Sequence, residues 1–140
     1  MLIVLISCVS KKRSVKSKAR DLYTSALFKK NLGYAFRLSP ARVYILSAKY
    51  GLVELEEEIE PYNKTLNTMP VRESREWAGR VLQQLAAKTD LENDRFVFLA
   101  GKKYRRYLVP HMKHFEIPLE GLRIGEQLQK LSRTGEEING

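Results

Sequence analysis

The sequence predicts an α/β protein: a three-layer α/β/α sandwich built on a mostly parallel sheet of about four strands. Three observations lead there. Short apolar runs at Leu2–Ile6, Val43–Leu46 and within Arg95–Ala100 have strand length and no polar alternation, as in strands covered on both faces. Between them the apolar residues recur at helical spacing. Each run also stops abruptly in small, polar or cationic residues, the pattern of strands that deliver loops to one edge of a sheet.

Leu2 to Ile6 is the first strand, broken by Ser7-Cys8-Val9-Ser10. In the stretch that follows, six of the ten residues from Lys11 to Arg20 are Lys or Arg, so a long cationic loop is expected, mobile until a ligand binds. Thr24 is the expected N-cap of a helix in which Phe28, Leu32, Ala35 and Phe36 repeat up to Leu38. Ser39-Pro40 ends that helix and leads into Val43–Leu46. This β-loop-α-β order requires a right-handed crossover and parallel pairing.

The second strand runs into Ser47-Ala-Lys-Tyr-Gly51, expected to be a functional loop at the carboxyl end of a central strand. A basic turn capped by Gly51 explains the same residues. After Leu52 the chain turns acidic, with Glu54, Glu56, Glu57, Glu58 and Glu60, and is expected to be irregular; Pro61-Tyr-Asn63 is a candidate lid or pocket wall.

Pro70 suits the first turn of a helix whose stripe is Ser74, Trp77, Ala78, Val81, Leu82, Leu85 and Ala86. The third strand, Arg95–Ala100, is ended by Gly101. Lys102 to Met112 then opens a further helix that Pro110 limits or kinks. Phe115–Ile117 is a candidate short last strand, Pro118–Gly125 a loop with two glycines, and Glu126–Leu131 the start of a terminal helix whose polar tail frays from Ser132.

At 140 residues the chain is expected to form one domain, 1–140, long enough to bury roughly two-thirds of its unfolded surface. It has no repeat, linker or low-complexity segment. Cys8 is the only cysteine, so no disulfide forms within the chain. The apolar start is too short for a signal peptide or a membrane span, and a cytoplasmic location is expected.

The net charge of +9 makes a polyanion the first partner to consider, because each phosphate neutralised releases counterions. Lys102, Lys103, Arg105 and Arg106 form a second basic cluster, and both clusters follow strands. Against other classes, the sequence lacks a phosphate-cradling glycine motif. One cysteine with His111 and His114 makes no convincing zinc site or nucleophile pair. Basic residues spread over loops give no case for a helix-turn-helix reader. No cofactor and no metal are expected.

Six segments together carry a resemblance. Ile6-Ser-Cys with Lys12, Ala19-Arg-Asp-Leu-Tyr-Thr-Ser25, Ile45-Leu-Ser-Ala-Lys-Tyr-Gly-Leu52, Pro61-Tyr62, Leu99-Ala-Gly101 with Tyr104, and Pro118-Leu-Glu-Gly-Leu-Arg-Ile-Gly-Glu-Gln-Leu128 resemble a family of small prokaryotic and phage proteins known as a domain of unknown function. More distantly, three strands each followed by a loop resemble the uracil-DNA glycosylase superfamily and the related domain of archaeosine tRNA synthesis. Two of that superfamily's motifs are absent, the catalytic-loop Gly-Gln-Asp-Pro-Tyr-His and the His-Pro-Ser before the last helix. The resemblance implies a glycosylase-like fold and action on nucleic acid or a nucleobase.

Cleaving an N-glycosidic bond needs a pocket for an extruded base, stabilisation of the sugar and departing base, and sometimes a carboxylate to orient water. The carboxylates in the family motifs are Asp21, Glu120 and Glu126. Ser7, Cys8, Arg20, Ser47 and Gly101 lie in motif loops, Tyr23, Tyr50, Tyr62 and Tyr104 offer stacking faces, and Lys12, Lys49 and Lys102 offer phosphate contacts. Plainer roles exist for several. Asp21 serves equally as an ion-pair partner or cap, Glu126 as a first-turn acid, Glu120 as a turn residue, and Tyr104 as core. The expected function is a nucleic-acid- or nucleobase-acting protein, with base excision as its chemistry. A non-catalytic basic module in stress response or phage defence is the alternative, and a phosphate-handling enzyme a third.

Overall fold

Residues at alternate positions of the central strands point to opposite faces, and in this chain both faces are apolar. In the computed structural model, which describes residues 1–7 and 11–139 with side chains up to residue 132, the core is accordingly split by the sheet. Strand β1 (Leu2–Ser7) sends Ile3 and Leu5 to one side and Val4 and Ile6 to the other, all fully buried.

The basic stretch after β1 is tied down rather than loose. Lys12 bridges Tyr23, the Arg13 amide donates to Leu22 O at 2.8 Å, and the Thr24 amide donates to Lys11 O at 2.9 Å. A two-residue strand β2 (Ser17–Lys18) and a single turn of helix α1 (Ala19–Leu22) follow. From Lys11 onward the expected long mobile loop is therefore held in place, because backbone groups of the segment find partners in the chain that follows it.

Helix α2 (Ala26–Arg37) is capped by Ser25, whose Oγ accepts the Phe28 amide at 3.2 Å, one residue later than the expected Thr24. It buries Phe28, Asn31 and Ala35, while Phe36 is 45% exposed and carries the Arg20 guanidinium 5.5 Å from its ring centroid. Strand β3 (Arg42–Ser47) pairs parallel with β1, Ser7 opposite Leu46.

The acidic stretch is more ordered than expected. Strand β4 (Gly51–Glu54) folds back antiparallel on β3, and strand β5 (Glu58–Ile59) pairs with β2. Leu52 and Val53 are buried on opposite faces, which stabilises β4 despite its length. Ser47–Gly51 is thus a tight hairpin turn and not an open loop. Gly51 sits at φ +75°, where a residue without Cβ is favoured.

Helix α3 (Val71–Lys88) starts after Pro70 and covers the face of Ile3, Leu5, Tyr44, Leu46, Phe96 and Phe98 with Trp77, Ala78, Val81 and Leu85; Ala86 of the expected stripe is exposed. Strand β6 (Arg95–Leu99) pairs parallel with β1 on its other side. The expected helix from Lys102 to Met112 is only one turn, α4 (Lys102–Arg105), followed by a 3₁₀ turn around Pro110, which supplies no amide for continued helix. Strand β7 (His114–Glu116) joins β6 in parallel, and helix α5 (Ile124–Asn139) packs against α2, continuing past Ser132 where fraying was expected.

The main sheet is five-stranded in the order β4-β3-β1-β6-β7, parallel except for β4. It has one strand more than the sequence predicts. Chain crossovers leave β1 toward β3 in one direction and continue from β6 toward β7 in the other. The order therefore reverses between β1 and β6, and the carboxyl ends of those two strands form the topological switch point. No described helix is long and apolar enough to cross a membrane.

Candidate functional site

At the switch point the Ser7 hydroxyl oxygen accepts the Gly101 amide at 3.1 Å and joins the ends of β1 and β6. Above this junction lies a cavity of about 610 Å³, within the size range of small-molecule sites. One wall is the start of α2, with Ser25, Ala26, Leu27, Phe28 and Asn31; another is α5, with Ile124, Gln127 and Leu128. The end of β6 contributes Phe98 to Gly101, and the loop between β7 and α5 contributes Leu119, Gly121 and Leu122.

Apolar and aromatic side chains make up most of this lining, and the charged ones are cations. Lys102 and Arg105 lie on the wall, with Arg105 Nη1 donating to Ala100 O at 2.8 Å. Lys102 is exposed and has no ion-pair partner among the described residues. No Asp, Glu or His is among the described lining residues.

One residue of the lining carries a conspicuous polar group. Asn31 is 3% exposed, and its Oδ1 is buried with no hydrogen-bond partner among the described residues. Such an acceptor costs on the order of 1–3 kcal/mol when left unpaired. Sequence reasoning passed over Asn31. The one signal for it was a polar residue three positions after Phe28 and four before Ala35, inside the buried stripe of α2.

A second constellation adjoins the first at the end of β3. Ser47 Oγ donates to the Tyr62 hydroxyl at 3.0 Å, and the Tyr62 and Tyr23 hydroxyls are 2.7 Å apart. Lys12 Nζ lies 4.5 Å from the Tyr62 ring centroid and 5.8 Å from that of Tyr23, within cation–π range. Tyr50 meets Tyr62 edge-on, its ring 5.6 Å away, and carries Lys49 Nζ at 5.2 Å on its own ring. Phe28 connects the two groups, because it lines the cavity and its ring centroid is 5.2 Å from that of Tyr23.

Of the residues singled out in the sequence, Ser7, Gly101, Lys102 and Tyr104 line the cavity, while Lys12, Tyr23, Ser47, Lys49, Tyr50 and Tyr62 form the neighbouring cluster. Tyr104 is also core, 2% exposed and edge-on to Trp77 at 5.8 Å. Trp77 in turn donates from Nε1 to Ser47 O at 2.8 Å, bracing the end of β3.

Arg20 turns away to the small sheet, where it and Lys18 pair with Glu56 at 2.8 and 3.0 Å. Those contacts hold the Glu56 carboxyl below its usual range, Arg20 foremost, and Glu56 raises the Lys18 ammonium. All three side chains are well exposed, so the cluster adds little stability.

The three carboxylates lie elsewhere. Asp21 is exposed on α1 and Glu120 is exposed in the loop whose neighbours Leu119 and Gly121 form the wall. Glu126 Oε1 accepts the Arg123 amide at 3.2 Å and so caps α5. Cys8 lies outside the described residues. Among the described residues no group of three or more His, Cys, Asp or Glu gathers as metal ligands do.

Fold and site together define an α/β protein with a small-molecule-sized cavity at the carboxyl edge of a parallel sheet. The chain belongs to the family of unknown function DUF6884, whose model matches residues 3–133. No curated protein and no solved structure matches it significantly.

Proposed function

We propose that this protein acts on nucleic acid or a nucleotide, admitting a base to the cavity between α2 and α5 while lysine and arginine side chains on its wall and beyond it take phosphates. The observation that carries this reading is the composition of the cavity: apolar and aromatic walls, cations at Lys102 and Arg105, and no described carboxylate or histidine. A base is planar, largely apolar on its faces and polar at its edge, and the phosphates attached to it are anionic. The net charge of +9 and the exposed Lys11 and Arg13 supply the sequence-independent attraction. Binding is the function this geometry supports best.

Base excision is a second reading, favoured by the Tyr62–Tyr23–Ser47 hydroxyl cluster with Lys12 beside it. In that reading the ammonium and the hydroxyls stabilise charge on the departing base, and the exposed Asp21 and Glu120 take no part.

Fluorescence anisotropy with labelled single- and double-stranded oligonucleotides across a salt series tests the proposal. Binding is expected, with log affinity falling linearly against log salt. Joint substitution of Lys11, Lys12 and Arg13 by Ala should flatten that slope by up to about 3. No binding at low salt would refute the proposal, and release of free base from any strand would establish the second reading.

A further inference from the structure

Resting on the nucleotide reading of the cavity, we infer that Asn31 is the residue that reads the base, its side-chain amide pairing with the base edge inside the cavity. Three observations converge on it. Asn31 is 97% removed from solvent on a helix face that otherwise buries Phe28 and Ala35, so a polar side chain there opposes the hydrophobic pattern. Its Oδ1 has no partner among the described residues, although nearly all buried polar atoms in folded proteins have one. It also lines a cavity large enough for a ligand, so the amide borders the space that an incoming base would fill.

An amide presents an acceptor and a two-proton donor side by side. A nucleobase edge offers the complement, an N–H next to a ring nitrogen or carbonyl oxygen. Around Asn31 the ligand would find the Phe28 ring and the leucines of the loop after β7. Ser7, whose oxygen is taken by the Gly101 amide, keeps its own proton to donate. An edge carrying an N–H beside an acceptor therefore complements both ends of the amide.

The test compares the full chain with Asn31→Leu, which keeps the branched shape and removes both polar ends. The probes are the nucleoside 5′-monophosphates of the common bases, measured by calorimetry, and single-stranded oligonucleotides, measured by anisotropy. The parent is expected to bind at least one monophosphate, and Asn31→Leu to bind it about 10–100-fold more weakly, as a lost buried hydrogen bond implies. The same substitution should raise the melting temperature of the unliganded protein by about 5 °C, because it removes an unpaired buried acceptor.

Loss of binding with a higher melting temperature separates recognition from simple damage to the fold. A cavity-filling Leu122→Trp variant should also lose the monophosphate while keeping Asn31. Equal binding by parent and Asn31→Leu would overturn the inference and leave the proposed function standing. A lower melting temperature for Asn31→Leu would overturn it as well, since the amide would then serve the fold. Absence of binding to every monophosphate and every strand would overturn both.

Discussion

Ser7 and Gly101, ninety-four residues apart in the chain, are joined by a 3.1 Å hydrogen bond from the Gly101 amide to Ser7 Oγ, at the point where the strand order of the sheet reverses. The bond fixes the ends of β1 and β6 at the floor of the cavity. Ser7→Ala should remove it at a cost of about 1 kcal/mol, lowering the melting temperature by about 3–4 °C. Ligand affinity should fall about 5-fold through the same loss of alignment. An unchanged affinity beside a lowered melting temperature would confine Ser7 to the fold.

Glu120 is the carboxylate that the motif loop brings nearest in sequence to the cavity, yet its side chain is exposed and lies outside the lining. Glu120→Gln is therefore expected to change stability by less than about 0.5 kcal/mol and to leave oligonucleotide affinity unaltered. A release assay run beside a melting curve checks this. If the parent releases base and the variant does so about 100-fold more slowly, Glu120 works as an acid or base on a rearranged loop.

Gly51 holds the hairpin between β3 and β4 at φ +75°, and a Cβ added there would meet Gln84 Oε1 at 2.5 Å. That oxygen accepts the Leu52 amide at 2.9 Å, so the neighbour cannot swing away without losing a bond. Gly51→Ala is expected to cost about 1–3 kcal/mol from backbone strain alone, with a further loss from the contact. Urea denaturation gives the measurement, and a change under about 0.5 kcal/mol would mean that the turn rearranges freely.

Asp94 is 5% exposed and accepts the Asp90 amide at 2.8 Å and the Met1 amino group at 2.7 Å. Both contacts hold its carboxyl below the ordinary range, the Asp90 amide foremost. A depressed carboxylate contributes stability that is fully present above its unfolded value of about 3.9 and is lost as pH falls through the lower folded value. Thermal melts should therefore be flat near neutrality and fall below about pH 4. Asp94→Asn should lower the neutral plateau and make the acid decline shallower; an unaltered decline would assign it to other carboxylates.

Much of this architecture was legible because its signals are local. The continuous apolar runs of β1, β3 and β6 reflect burial on both faces, and the stripe through Trp77, Val81 and Leu85 reflects one helix lying on one face of the sheet. Parallel pairing then obliged Ser7, Ser47 and Gly101 to share an edge. Strand β4 escaped notice because Leu52 and Val53 are its only buried side chains beyond a glycine, and the acids that follow mask the pattern. The basic segment after β1 looked mobile because its partners, Leu22, Leu55, Glu57 and the strand Glu58–Ile59, are supplied by later chain.

The sequence by itself determined the α/β class, the parallel central strands and the edge on which the polar loops gather, since hydrophobic period and crossover handedness are properties of short stretches. Only the tertiary structure decided which of those residues meet. Tyr23, Ser47 and Tyr62 converge through hydrogen bonds between segments far apart in the chain. Asp21, Glu120 and Glu126 share the motifs but face solvent or cap a helix. Asn31, one polar residue on an apolar helix face, acquires meaning only when α5 and the end of β6 enclose the space beside it, because burial and hydrogen-bond satisfaction depend on what the rest of the chain brings near.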